Sequence, residues 1–206
     1  MVRDFLSIDD ITPEELHHLL ELAAKVKQSP GDYSARLSGT AVALIFEKPS
    51  TRTRVSFEVA VASLGGHPLA LSSSELQLGR GETIEDTGRV LSRYCEAIVL
   101  RTLGQERLEA LAAGADVPVV NSLSDYEHPC QILADLLTVI EQKGDPAGRS
   151  LAYLGDGNNV AHSLLLGGAM LGMRVRVATP AGFEPIPQVV ERAEEIAAKT
   201  GGAVQV

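Results

Sequence analysis

The sequence predicts an α/β protein built on doubly wound parallel sheets. Three observations carry this expectation. Short apolar runs recur at 41–46, 96–102, 117–120, 150–154 and 174–178, each followed by a helical pattern. Strands that alternate with helices need crossover connections, and crossovers make parallel strands. The stretch Gly144-Asp145-Pro146-Ala147-Gly148 stops a helix with no apolar residue but one alanine, and the rhythm restarts beyond it. Two domains are therefore expected, at 1–143 and 144–206.

Thr12-Pro13-Glu14-Glu15 reads as a helix start, with proline at the first helical position and acids in the first turn. Leu16, Leu19, Leu20 and Ala23 form its apolar stripe. The adjacent His17 and His18 point in different directions on such a helix, so a solvated face is expected rather than chelation. The uninterrupted run Ala41-Val42-Ala43-Leu44-Ile45-Phe46 reads as a strand buried on both faces. Phe57, Val61 and Leu64 give the next helix, with Ser50 or Thr51 as N-cap, and Gly65-Gly66 ends it. Residues 68–71 are extended, and 72–81 form a long polar loop punctuated by glycine, a kind of loop that is often functional.

Thr83 opens a helix to residue 94 with a capping-box pattern that has Asp86 in place of Glu. Residues 106–113 are helical, 117–120 form a short strand, and 121–127 a polar loop. His128-Pro129 opens a helix with the stripe Ile132, Leu133, Leu136, Leu137 and Ile140. After the break come a strand at 150–154, a helix at 161–171, a strand at 174–178, a helix at 187–200 and a strand from 203.

Composition sets limits on function. The 206 residues are 45% hydrophobic and 22% charged, enough for a sizeable core. The net charge of −9 argues against a nucleic-acid partner, whose binding rests on phosphate contacts. Cys95 and Cys130 form no disulfide framework or Cys-x-x-Cys, which suits a reducing cytoplasm. The N-terminal residues carry no apolar signal region, and no stretch of 18 apolar residues offers a membrane span. No metal-ligand spacing appears, and no Gly-Lys dipeptide exists for a P-loop. Gly155-x-Gly157 resembles part of a dinucleotide fingerprint. It lacks the third glycine and the acidic residue about twenty positions on, which excludes nicotinamide binding as the main reading.

The positive signal lies after the strands. Ser50-Thr51-Arg52-Thr53-Arg54 puts three hydroxyls and two arginines at a helix N-terminus. Free N–H groups and the positive dipole end favour an anion there, and guanidinium forks suit phosphate. Arg101 ends an apolar strand. His128 sits at a helix start, where the dipole disfavours imidazolium and leaves a neutral donor. Gln131 lies one turn on and can reach the same ligand, while Cys130 between them is expected to face the protein. These clusters, with Asp156-Gly157-Asn158-Asn159, all follow strand C-termini, the edge where open α/β sheets bind ligands.

Ser50-Thr51-Arg52-Thr53-Arg54 and His128-Pro129-Cys130-Gln131, about 75 residues apart and each opening a helix, together resemble the transcarbamoylase family. Phe46–Pro49, Ser56–Ala60 and Leu133–Thr138 fit as well, and the similarity runs over essentially the whole chain. Within the family the chain is most similar to the ornithine branch: the 74–81 loop has Gln77 and Arg80 and no lysine, and Gly155–Asn159 matches that branch. The resemblance implies carbamoyl phosphate and L-ornithine as substrates, citrulline and phosphate as products, and a place in arginine biosynthesis, with no cofactor or metal. It implies that Ser50, Thr51, Arg52 and Thr53 bind the phosphate. Arg101, His128 and Gln131 would hold the carbamoyl group, with Thr53 near its oxygen. Gln77 would reach carbamoyl phosphate from a neighbouring subunit, so a homotrimer or a multiple of it is implied, and Asn159 would contact ornithine. The family's amino-acid domain also carries an Asp, a Ser-Met-Gly loop and a His-Cys-Leu-Pro stretch that these residues lack. The second domain is therefore read as incomplete; a molecule that ended at Val206 would be expected to bind carbamoyl phosphate without efficient transfer. A carbamoyltransferase for aspartate, putrescine or N-acetylornithine, or a non-catalytic phosphate-binding module, are the competing readings.

Overall fold

Seven strands and seven helices alternate along the described residues of the computed structural model, which are 3–72 and 81–206. They fall into two compact units. One comprises Lys25–Ser124 with the N-terminal residues up to Leu6; the other comprises Ser7–Ala24 and Asp125–Val206.

The first unit holds a four-stranded parallel sheet in the order β2-β1-β3-β4. Its strands are β1 (Ala41–Phe46), β2 (His67–Ser72), β3 (Ala97–Arg101) and β4 (Val119–Leu123). Residues of β1 alternate between faces and are apolar on both. Val42, Leu44 and Phe46 pack with Val61 of α2 (Thr51–Ser63). Ala43 and Ile45 join Ile84 of α3 (Ile84–Leu91) and Leu108 and Leu111 of α4 (Gln105–Gly114). Each fully buried Val, Leu or Ile is worth about 1.5–3 kcal/mol relative to exposure.

Several boundaries differ from the sequence expectation by a residue or more, and in three places polar side chains that find partners account for the difference. β4 runs on through Asn121 and Ser122, where a polar loop was expected. Both are fully buried. Asn121 Nδ2 donates to the Leu6 carbonyl (2.8 Å) and Ser122 Oγ to the Leu100 carbonyl (3.0 Å). The backbone of Phe5 pairs beside Val120 and extends that edge. α3 ends at Leu91 rather than residue 94, its last carbonyls capped by Ser92, whose hydroxyl also donates to Gly88 O. The sixth helix starts at Asn159 rather than 161, because the Asn158 side chain accepts from the N–H groups of Val160 and Ala161.

The second unit has a three-stranded parallel sheet, β5 (Ser150–Leu154), β6 (Arg174–Ala178) and β7 (Ala203–Gln205), in that order. Helix α6 (Asn159–Met170) is buried at every residue from Ala161 on, as an all-round apolar helix must be. It packs with α5 (Pro129–Lys143) and α7 (Pro187–Thr200). α1 (Pro13–Gln28) contributes Leu16 and Leu20. No helix among the described residues is long and apolar enough to cross a membrane.

Glycines set the closest approach in the first unit. A Cβ on Gly114 of α4 would lie 2.2 Å from the Glu85 carbonyl, and one on Gly88 of α3 2.7 Å from that of Leu111. Gly114→Ala is expected to destabilise the chain by about 1–3 kcal/mol, as overpacking does. Urea denaturation measures the shift in midpoint.

Candidate functional site

β1 ends in Glu47-Lys48-Pro49-Ser50, and α2 begins at Thr51. Ser50 occupies the N-cap position with extended backbone (φ −157°, ψ 104°), yet its side chain caps nothing. Its hydroxyl donates instead to Thr53 Oγ1 at 2.9 Å. The first N–H groups of α2 therefore have no acceptor in the Ser50 side chain, and they carry the positive end of the helix dipole. A cavity of about 480 Å³ opens here, lined among others by Lys48, Ser50, Thr51 and Arg54. Arg52 and Lys48 are exposed, and Arg52 makes no ion pair among the described residues.

Arg101 reaches the same place from β3. Its Cα is the register partner of Phe46, so the ends of β1 and β3 lie side by side. The β3–β4 register shifts between Leu100 and Arg101, a bulge of the kind that re-aims a strand-end side chain. Arg101 Nη1 donates to Thr53 Oγ1 at 3.1 Å. Thr53 Oγ1 thus accepts from both Ser50 and Arg101, which leaves its own proton available to a further acceptor. Arg101 Nε is buried and has no hydrogen-bond partner among the described residues. A buried donor left in that state costs roughly 1–3 kcal/mol, which a ligand acceptor removes. Burial lowers the Arg101 pKa, but an arginine stays charged.

Behind the loop lies a group that the sequence reading did not assign. Glu47 takes hydrogen bonds from Arg107 of α4 and from Thr102, the residue after Arg101. Burial opposes its ionisation most strongly; the bonds from Arg107 and Thr102 and the Arg107 charge outweigh it and hold the carboxyl below its ordinary pKa.

The remaining candidates lie in the second unit. His128 is the N-cap of α5, and its backbone N–H donates to Ser163 Oγ (3.0 Å) of α6. Ser163 donates in turn to Glu127 Oε2 (3.0 Å), which also accepts from Ile8 N (3.2 Å); Ser7 donates to the other oxygen. Glu127 is fully buried, and desolvation raises its pKa against those bonds. This network fixes where α5 starts. Gln131 is exposed and donates to Asp135 Oδ1 at 2.9 Å, so it lies along the helix. Cys130 faces the protein, its thiol pushed up to about 12 by burial. Asn159 is the first residue of α6, beside the capping Asn158. Gln77 lies outside the described residues.

The fragment of dinucleotide fingerprint has a packing explanation. A Cβ on Gly157 would sit 2.1 Å from Pro185 N, and Gly157 N–H donates to the Phe183 carbonyl at 2.7 Å. His162, which no motif marked, is buried and ties this segment down. Its Nε2 accepts from Ile186 N–H (3.0 Å), which places the proton of the neutral ring on Nδ1, facing the Tyr126 carbonyl at 2.7 Å.

Residues 3–141 match the family described as "Aspartate/ornithine carbamoyltransferase, carbamoyl-P binding domain", and residues 147–206 match its "Asp/Orn binding domain". The chain is 62% identical over 203 residues to the ornithine carbamoyltransferase of Parafrankia sp., covering 97% of this chain and 64% of that one. It is 60% identical over 208 residues to that of Acidothermus cellulolyticus, covering 100% and 66%. The chain thus spans about two thirds of the length of these curated relatives. Among solved structures it is similar to the ornithine carbamoyltransferase of Pyrococcus furiosus, with a TM-score of 0.94, 53% identity and coverage of 98% and 66%. The enzyme from Thermus thermophilus gives 0.89 and 43%, with coverage of 100% and 69%.

Burial lowers the His162 pKa from 6.5, with the Tyr126 carbonyl opposing. A depressed folded-state pKa contributes stability above the unfolded value of 6.5, which is lost as pH falls through the folded one. The imidazole should therefore titrate below 6.5 by NMR. Between pH 7.5 and 5.5 the urea midpoint should fall more steeply for the native chain than for His162→Asn.

Proposed function

The chain belongs to the aspartate/ornithine carbamoyltransferase family, and from that premise we propose that it binds carbamoyl phosphate and serves transfer of the carbamoyl group to the side-chain amine of L-ornithine, giving citrulline and phosphate. The observation that carries this reading is the buried Arg101 Nε, without a hydrogen-bond partner among the described residues, beside the Ser50–Thr53–Arg101 contacts at a helix N-terminus that the Ser50 side chain does not cap. A purely structural arginine would spend that donor on the protein.

The roles follow from the chemistry. Backbone N–H groups of α2, the hydroxyls of Ser50, Thr51 and Thr53, and the guanidinium of Arg52 hold the phosphate. By the family resemblance, Arg101, His128 and the Thr53 hydroxyl are assigned to the carbamoyl oxygen. A neutral amine attacks the carbamoyl carbon, negative charge builds on that oxygen, and phosphate leaves. Each donor aimed at such an oxygen is worth about 3–4 kcal/mol when removed. Arg52 stabilises the departing phosphate. Holding both substrates together supplies about 7–11 kcal/mol more. Gln131 joins the carbamoyl group once it leaves Asp135. Asn159 contacts ornithine, and Gln77 acts from a neighbouring subunit of a trimer. The reaction as written needs neither metal nor organic cofactor.

In this reading residues 1–143 bind carbamoyl phosphate and 144–206 belong to the amino-acid-binding domain. The two family matches, which meet near residue 144, support that division. The two free cysteines suit a reducing compartment, and we place the chain in the cytoplasm, in arginine biosynthesis.

Calorimetry of carbamoyl phosphate with the 206-residue chain tests the first half. Arg52→Ala should weaken binding by about tenfold or more, the loss of a charge-assisted bond; unchanged affinity would overturn the phosphate assignment. In a panel of ornithine, aspartate, putrescine and N-acetylornithine, the carbamoylated product that forms is expected from ornithine, at a low rate with the 206-residue chain. Product from another amine in its place would overturn the substrate.

A further inference from the structure

Nothing in the proposed ligand set holds Arg101 in register with the α2 N-terminus from the opposite side of the sheet. The group that does is the Glu47 clasp. Glu47 N–H donates to the Arg101 carbonyl at 2.9 Å, joining the end of β1 to the end of β3. Its carboxylate then receives Thr102 Oγ1, and Arg107 Nε at 3.1 and 3.0 Å from its two oxygens, with a further bond from Arg107 Nη2. Thr102 is fully buried, and the Glu47 side chain is only 14% exposed. Successive strand residues point to opposite faces, so Thr102 and Arg101 diverge. Thr102 goes to the α4 side with Glu47 and Arg107; Arg101 goes to the α2 side with Thr53. A carboxylate beside an anion site would ordinarily repel the ligand, and the Arg107 fork neutralises it there.

We propose that Glu47, paired with Arg107 and Thr102, is a positioning residue that fixes Arg101 against Thr53 for the incoming ligand. The inference rests on the carbamoyl phosphate reading of this loop. Glu47 touches no ligand in it; it acts through the backbone of Arg101.

Three variants and two measurements test it. Glu47→Gln keeps the shape and removes the charge, Arg107→Met removes the partner, and Thr102→Val removes only a hydroxyl. Calorimetry with carbamoyl phosphate should show Glu47→Gln and Arg107→Met each binding about tenfold weaker, and the double variant no weaker than either. Thr102→Val should lose about threefold. The second measurement is the ¹⁵N–¹H signal of Arg101 Nε, assigned by its loss in Arg101→Lys. It should respond to carbamoyl phosphate in the native chain, and should already be shifted in unliganded Glu47→Gln. A merely stabilising clasp would lower the urea midpoint and leave affinity and signal unmoved, and that result would overturn the proposal. So would additive losses in the double variant. Should Glu47→Gln not fold, Thr102→Val carries both measurements. A native chain that binds no carbamoyl phosphate is a separate outcome: it removes the reading of the loop, and the inference with it.

Discussion

Burial of β1 on both faces is the constraint from which the first unit follows. Val42, Leu44 and Phe46 are covered on one side, Ala43 and Ile45 on the other. A strand in that position must be central, and β2 and β3 flank it. All neighbours run parallel, so every C-terminus lies on one edge, and the chain leaves that edge in loops that have no core to join. The polar residues of those loops are thereby gathered without any affinity for one another. Ser50, Thr53 and Arg101 meet because Phe46 and Arg101 are register partners. An apolar contact pattern thus delivers a polar constellation.

Much of this was readable along the chain. The apolar runs at 41–46 and 174–178 became strands, and the helix at 187–200 has the expected bounds, because proline and glycine act locally. The N-cap position was legible to within one residue, as Ser50 or Thr51, and it is Ser50. What its hydroxyl does was not, since the capping bond and the bond to Thr53 use the same residue types at the same spacing. Strand β4 was misjudged at Asn121 and Ser122 for a related reason. Local pattern treats polar residues as solvated, whereas Phe5 and Leu6, far away in sequence, satisfy Asn121, and the Leu100 carbonyl satisfies Ser122.

The same limit explains the groups that reading along the chain passed over. Glu47 and Arg107 are 60 positions apart, and Glu127 and Ser7 are 120 apart. Neither pair belongs to a motif with fixed spacing. The sequence marked Ser50, Thr53 and Arg101 as candidates, because polar residues cluster after strands. It hid the residues that hold them in place, because those are recruited from wherever the fold passes. His162 belongs with the hidden set: its two ring nitrogens join Tyr126 to Ile186, and neither end carries a recognisable signature.

Helices α3 and α4 touch backbone to backbone at Gly88 and Gly114, with no side chain between them. Side chains act as cushions, since rotamer changes absorb small displacements, and this junction has none to offer. A shift of α3 is therefore handed to α4 almost undiminished, as between two gears with no play. α4 carries Arg107, and Arg107 holds Glu47. Whatever moves α3 will be felt at the far edge of the sheet.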